Sequence, residues 1–180
     1  MSVGNSWKTR NQRSYLTQPR PVKERVVKHT PQFTFEQLYI SPFTQRKRYD
    51  EDGRWQYVPI ERKTSPTGIL VMDQYVRFLA AGNMDLQPFL ESTGLELGEI
   101  NALVFILTGI KNVRFRQLYQ RQLADDLLRY TDMPIDEVAR RAGLGSPNNF
   151  YLTLRREWNM SATERRSRIR QEGDLGRFKI

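Results

Sequence analysis

Asn148, Tyr151 and Arg155 fall three and four residues apart, so on a helix they would share one face. An asparagine carboxamide can bridge adenine and a guanidinium can bridge guanine, while a tyrosine can reach a phosphate or pack on a thymine methyl. Pro147 and Leu152 border that face. Ser146 before them is a helix cap whose turn would offer backbone N–H groups to a phosphate. Arg156, Arg165 and Arg166, with Arg168 and Arg170, add charge suited to a salt-dependent attraction to phosphate. The chemistry implied is recognition of double-stranded DNA. The competing reading of the same residues is a solvated helix face followed by a solubilising basic tail.

Catalysis finds less support. The chain has no cysteine and one histidine, His29, which excludes thiolate zinc sites, disulfide scaffolds and multi-histidine metal centres. Asp52 with Glu61 and Lys63 offers the residue types of a Mg²⁺-dependent nuclease. Asp52 is better suited to an Asp-Gly turn, however, and Pro59 would disturb the strand that follows. No Walker loop or dinucleotide glycine motif occurs, since Gly143-Leu144-Gly145 lacks the third glycine. The expectation is a binding protein without enzymatic activity or cofactor.

The chain has 180 residues and a net charge of +9. Residues 1–65 carry 13 basic and 6 acidic side chains, residues 66–133 carry 6 and 8, and residues 134–180 carry 10 and 6. Charge gathered at the two ends of a neutral middle suits a polyanionic partner, nucleic acid first. The most apolar stretch, residues 100–110, is too short to span a bilayer, and no apolar signal core follows Met1. A cytoplasmic, nucleoid-associated protein with no membrane partner is expected.

Several elements would have to position the DNA-facing residues. Residues 1–31 are rich in Arg, Lys, Gln and Ser with three prolines, a composition that favours disorder. Strand-like residues and Asp52-Gly53 predict a small hairpin near 49–58. From Gly68 the apolar spacing becomes helical: Ile69, Met72, Val76, Leu79; then Leu86, Phe89, Leu90; then residues 100–107; then a long charged helix with Phe115, Leu118, Leu123, Leu127 and Leu128. Ile135, Val138 and Ala139 follow Pro134. Phe150, Leu154 and Trp158 mark the inner side of the next helix, and Ser161 to Glu164 is a capping box opening the last one.

A repeat runs through this pattern. Leu86, Phe89, Leu90, Gly94 and Leu95 match Ile135, Val138, Ala139, Gly143 and Leu144 at an offset of 49, and Ile100 and Val104 match Phe150 and Leu154 at 50. Each unit reads as a short helix, a glycine turn and a second helix, which is the helix-turn-helix arrangement.

On these residues, and on Leu127-Leu128, residues 131–139, residues 142–147, Phe150, Leu154-Arg155-Arg156, Asn159-Met160-Ser161 and Arg166, the chain resembles the DNA-binding domain of the AraC/XylS family of bacterial transcription regulators over residues 69–170. The resemblance implies two heads joined by one long helix and set in adjacent major-groove segments. The first head departs from it. The helix over residues 97–107 is apolar, with Glu99 facing where a phosphate would be; Asn101, Lys111 and Arg114 are its candidate DNA contacts.

The expected fold is therefore mainly α: two helix-turn-helix units joined by a long linker helix, with an N-terminal basic arm holding a small β-hairpin. The expected divisions are 1–66 for the arm, 67–171 for the helical domain and 172–180 for a tail. The expected function is sequence-specific regulation of transcription through the helix 146–157. An architectural or mobile-element DNA-binding protein and a protein-interaction adaptor stand as alternatives. RNA polymerase or another protein is a candidate partner of the arm, with its Trp7, Tyr15, Phe33 and Tyr39, or of the 97–107 helix. The arm could equally track a minor groove, stack on single strands or cover the first head.

Overall fold

The computed structural model describes residues 30–62, 64–171 and 176–180. The expected disorder of residues 1–29, and Trp7, Tyr15, His29 and Lys63, lie outside them. The described fold is mainly helical with one small three-stranded sheet.

The described residues form eight helices, four of which carry the repeat. A four-residue turn of helix, α1 (Phe35–Leu38), precedes β1 (Gln45–Tyr49) and β2 (Trp55–Pro59). Then come α2 (Leu70–Ala80), α3 (Gln87–Thr93), α4 (Leu97–Thr108) and the 19-residue α5 (Asn112–Tyr130). The chain closes with α6 (Ile135–Arg141), α7 (Pro147–Trp158), α8 (Ala162–Arg170) and β3 (Phe178–Lys179).

The two units match in length as well as sequence. α3 and α6 have 7 residues each, and α4 and α7 have 12. Gly94 and Gly143 both adopt φ 69°, the left-handed conformation that lets a second helix leave at a steep angle. The match extends past the sequence signal: Gly109 after α4 and Asn159 after α7 are 50 apart, and both are left-handed caps.

Each unit buries its own core. The first gathers Met72, Tyr75, Val76, Leu79, Phe89, Ile100 and Val104 against Phe115 and Tyr119 on the first half of α5. The second gathers Val138, Ala139, Phe150, Leu154 and Ile169 against Leu123, Leu127 and Leu128 on its second half. α5 thus donates one apolar stripe to both cores, which is why a helix of mixed charge holds its place.

The two units are also locked side by side. Gly143 sits against Gly82 and Met84 in the α2–α3 loop, and Gly82 against the carbonyl of Arg141. Arg116 Nη1 donates to Met84 O (2.7 Å) and Gln120 Nε2 donates to Gly143 O (2.8 Å), so two α5 side chains tie both loops to the linker helix.

Residues 33–43 pack along α5. Phe35 meets Phe115 and Tyr119 edge-on, and Leu38 and Ile40 are buried in the first core. The N–H of Ile40 donates to Tyr119 Oη (2.8 Å), and Tyr39 Oη donates to Asp126 Oδ2 (2.8 Å). Phe43 enters the second core beside Tyr130 and Phe178. These apolar residues follow no helical period because each fills a separate gap along α5.

The expected hairpin is present and longer, with Tyr49 opposite Trp55 and Gln45 opposite Pro59. Its turn carboxylate is Asp50 and not Asp52: Asp50 Oδ1 accepts from the N–H groups of Asp52 (3.1 Å) and Arg54 (2.8 Å). Pro59 leaves β2 intact by ending it. The segment expected as a tail supplies β3, antiparallel to β1, so the strand order is β2-β1-β3.

Candidate nucleic-acid interface

Local sequence sets the ends of α7. Ser146 Oγ accepts from the N–H of Asn149 (3.3 Å), Pro147 stands in the first turn, and left-handed Asn159 ends the helix. Phe150 and Leu154 are buried four residues apart, which turns the opposite face to solvent. Asn148, Asn149, Tyr151, Leu152, Arg155 and Arg156 are exposed there, Tyr151 to 45% and Leu152 to 57%.

Two of these residues order each other. Arg155 Nε donates to Tyr151 Oη (3.1 Å), with the guanidinium 5.5 Å from the ring centroid. The pair presents one cation and one flat apolar surface at a fixed spacing on the helix.

Beside this face lies a cluster that the sequence alone does not show. Glu157 receives Arg156 (3.2 Å), Arg121 (3.4 Å) and Arg114 (3.8 Å), so α5 and α7 bring three guanidiniums around one carboxylate. The cluster keeps two units of positive charge at the junction of the two heads. Arg114, a first-head candidate, thereby joins the second head's surface. The only sequence signal for this meeting is the acidic Glu157 in an otherwise basic helix end.

Arg165 and Arg166 are turned to internal work. Arg165 pairs with Asp125 (2.6 Å) and lies 5.0 Å from the Trp158 ring centroid. Arg166 donates to the carbonyl of Met133 from a half-buried position, and burial pushes its guanidinium below the usual range. Both hold α8 against α5 and the turn before α6. The sequence could not separate them from Arg168 and Arg170, which stay exposed.

The repeat makes the first head directly comparable. At an offset of 50, Gly98, Glu99, Asn101 and Ala102 of α4 occupy the places of Asn148, Asn149, Tyr151 and Leu152, while Phe105 and Ile106 occupy those of Arg155 and Arg156. Asn101 Oδ1 accepts from Asn112 Nδ2 (2.9 Å), whose own Oδ1 accepts from Tyr75, so its acceptor is committed to the interior. Lys111 is exposed at the start of α5. The α4 face is uncharged apart from Glu99.

Asp52 and Glu61 stand at opposite ends of β2. Among the described residues no three His, Cys, Asp or Glu side chains cluster to hold a metal, and no helix is long and apolar enough to cross a membrane.

No protein-family model matches the chain, and no curated protein matches it. Among solved structures, the C-terminal domain of AraT, a response regulator from Geobacillus stearothermophilus, is similar over 53% of this chain and 79% of that chain, at 20% identity and a TM-score of 0.46.

Proposed function

We propose that the chain is a sequence-specific, double-stranded-DNA-binding regulator of transcription that reads a major groove with α7 and acts without a catalytic step or cofactor. One observation carries the reading: the second of two structurally matched helix-turn-helix units exposes Asn148, Tyr151 and Arg155 on the outer face of its second helix, beside a cluster of three arginines. In such units that face is the one that enters the groove. Asn148 would bridge adenine, Arg155 would bridge guanine, and Tyr151 and Leu152 would pack on thymine methyls. The α7 N-terminus at Ser146 and Pro147, with Arg156 and Arg114, would take phosphates. Arg165 and Arg166 would act by holding α8. DNA binding of this kind belongs in the cytoplasm, at the nucleoid.

The contrast with α4 supports a division of labour. Its outer face offers neither a base-reading pair nor a cation, so the first head would serve packing or a protein partner, with RNA polymerase as one candidate.

Selection of bound duplexes from a random pool near physiological salt tests the reading. The expected result is one enriched motif of about half a helical turn, relaxed at one base pair by Arg155→Ala at a cost of about 1–3 kcal/mol. A motif spanning two adjacent groove segments would overturn the division of labour. Binding with a steep salt slope but no enrichment would overturn sequence reading in favour of an architectural role, and no binding at low salt would favour an adaptor.

A further inference from the structure

The three-stranded sheet packs Phe178 against the second core and presents an unusual surface on its other face. The strand register places Lys47, Tyr49, Trp55, Tyr57 and Lys179 on one face. Tyr49 is 60% and Trp55 55% exposed. Lys47 Nζ lies 4.3 Å from the Trp55 ring centroid and 5.3 Å from that of Tyr49, and Lys179 Nζ lies 4.0 Å from that of Tyr57. Neither lysine has a carboxylate partner among the described residues. Rings under flexible ammonium groups fix where the charges stand without neutralising them.

The sheet's position relates it to the second head. Phe178 seats β3 against Tyr130 at the end of α5 (5.0 Å between ring centroids), and Tyr57 Oη donates to Gly176 O (2.9 Å). Gly176 in turn abuts Asp132 in the turn before α6, and Tyr57 and Lys179 line one cleft with Met133 and Arg141. When the second helix of a helix-turn-helix unit lies in the groove, its first helix crosses the sugar–phosphate backbone. The sheet therefore stands next to the helix that would cross that backbone.

We propose that this sheet face is a second contact with the same duplex, gripping the phosphate backbone beyond α6 through Lys47 and Lys179; the proposal rests on α7 being the reading helix. Duplex phosphate is favoured over a stacked single strand because Trp55 and Tyr57 already have ammonium groups over their rings and stand edge to face at 82°. They form a scaffold for cations, and a base would find no open pair of parallel rings. The carboxylates of Asp50, Glu51 and Asp52 sit in the hairpin turn, so the contact belongs to the body of the sheet and not its tip. Asp132 lies at its inner end, with Arg170 3.8 Å away.

The test is equilibrium binding of the full chain and its Lys47→Gln/Lys179→Gln variant to the selected motif, across a range of salt. Two duplexes are used, one of ~10 bp and one of ~20 bp, so that only the longer continues past α6. On the long duplex the variant's slope of log Kobs against log salt should fall by about 2, at ~0.9 per lost phosphate contact, with the motif preference kept. On the short duplex the two proteins should bind alike. Arg46→Gln/Arg48→Gln, on the opposite face, should keep the parent slope, and far-UV circular dichroism of both variants should match the parent.

An unchanged slope with motif preference intact overturns the sheet contact and leaves α7 standing. An equal fall from the Arg46/Arg48 pair overturns the assignment to this face. A stronger variant effect on single strands replaces it with a stacking surface. Failure of the parent chain to bind any duplex overturns both readings together.

Discussion

Gly143 and Gly94 offer a comparison that isolates the contact between the two heads. They are equivalent in the repeat and share φ 69°, so an alanine at either should incur the same left-handed backbone cost, roughly 1–2 kcal/mol. Their surroundings differ. A Cβ on Gly94 meets nothing within 4 Å, whereas one on Gly143 would lie 2.7 Å from Gly82 O and closer still to Met84 Cγ. Met84 can swing its side chain, but the Gly82 carbonyl belongs to a loop whose neighbour Met84 is tied to Arg116. Overpacking of this kind adds roughly 1–3 kcal/mol. Any gain from a stiffer unfolded chain is common to both variants and drops out of their difference.

Gly143→Ala should therefore be about 1–3 kcal/mol less stable than Gly94→Ala. For a chain of this length that is a gap of roughly 2–12 °C in thermal midpoint. Parallel thermal and urea unfolding of the two variants, followed by circular dichroism, measures it. Equal destabilisation would refute the claim that the head-to-head approach at Gly82, Met84 and Gly143 is tight. A larger loss at Gly94 would refute the reasoning altogether.

Two further outcomes are expected. Phe150→Ala should remove about 3–5 kcal/mol, because the ring is fully buried and its loss leaves a cavity in the second core, and amide exchange should accelerate first in α6 and α7. Asp126 supplies the pH test: burial raises its carboxyl above the ordinary value, against opposing hydrogen bonds from Tyr39 and Gln122. The folded state then holds this proton more tightly than the unfolded state, so the group's contribution to stability falls as pH rises from the unfolded value through the folded one. Asp126→Asn lacks that fall. Its thermal midpoint relative to the parent should climb with pH across the acid range, and a decline there would overturn the assignment.

Much of the helical architecture is written locally. Ser146, Ser161 and Glu164 cap their helices through bonds between residues three apart, Pro147 suits the first turn of α7, and Gly94 and Gly143 end theirs by a backbone preference intrinsic to glycine. Apolar residues at 150 and 154 can bury themselves only by turning 148, 151, 152 and 155 outward. Since these signals act within one or two turns, the repeat, the order of the helices and the composition of the α7 face can be read from sequence.

The rest depended on partners distant in sequence. Arg156, Arg165 and Arg168 are the same residue type within one basic stretch; Glu157, Asp125 and open solvent give them different tasks, and only the docking of α8 on α5 decides which. Phe35, Ile40 and Phe43 carry no helical period because their holes lie along α5, some 80 residues away. Phe178 and Lys179 read as part of a tail until β1 offers them an edge to pair with. The sequence by itself therefore determined the elements and the outward face of α7. Tertiary structure decided how arm, sheet and tail close around them, because local preferences reach a few residues and burial reaches across the whole chain.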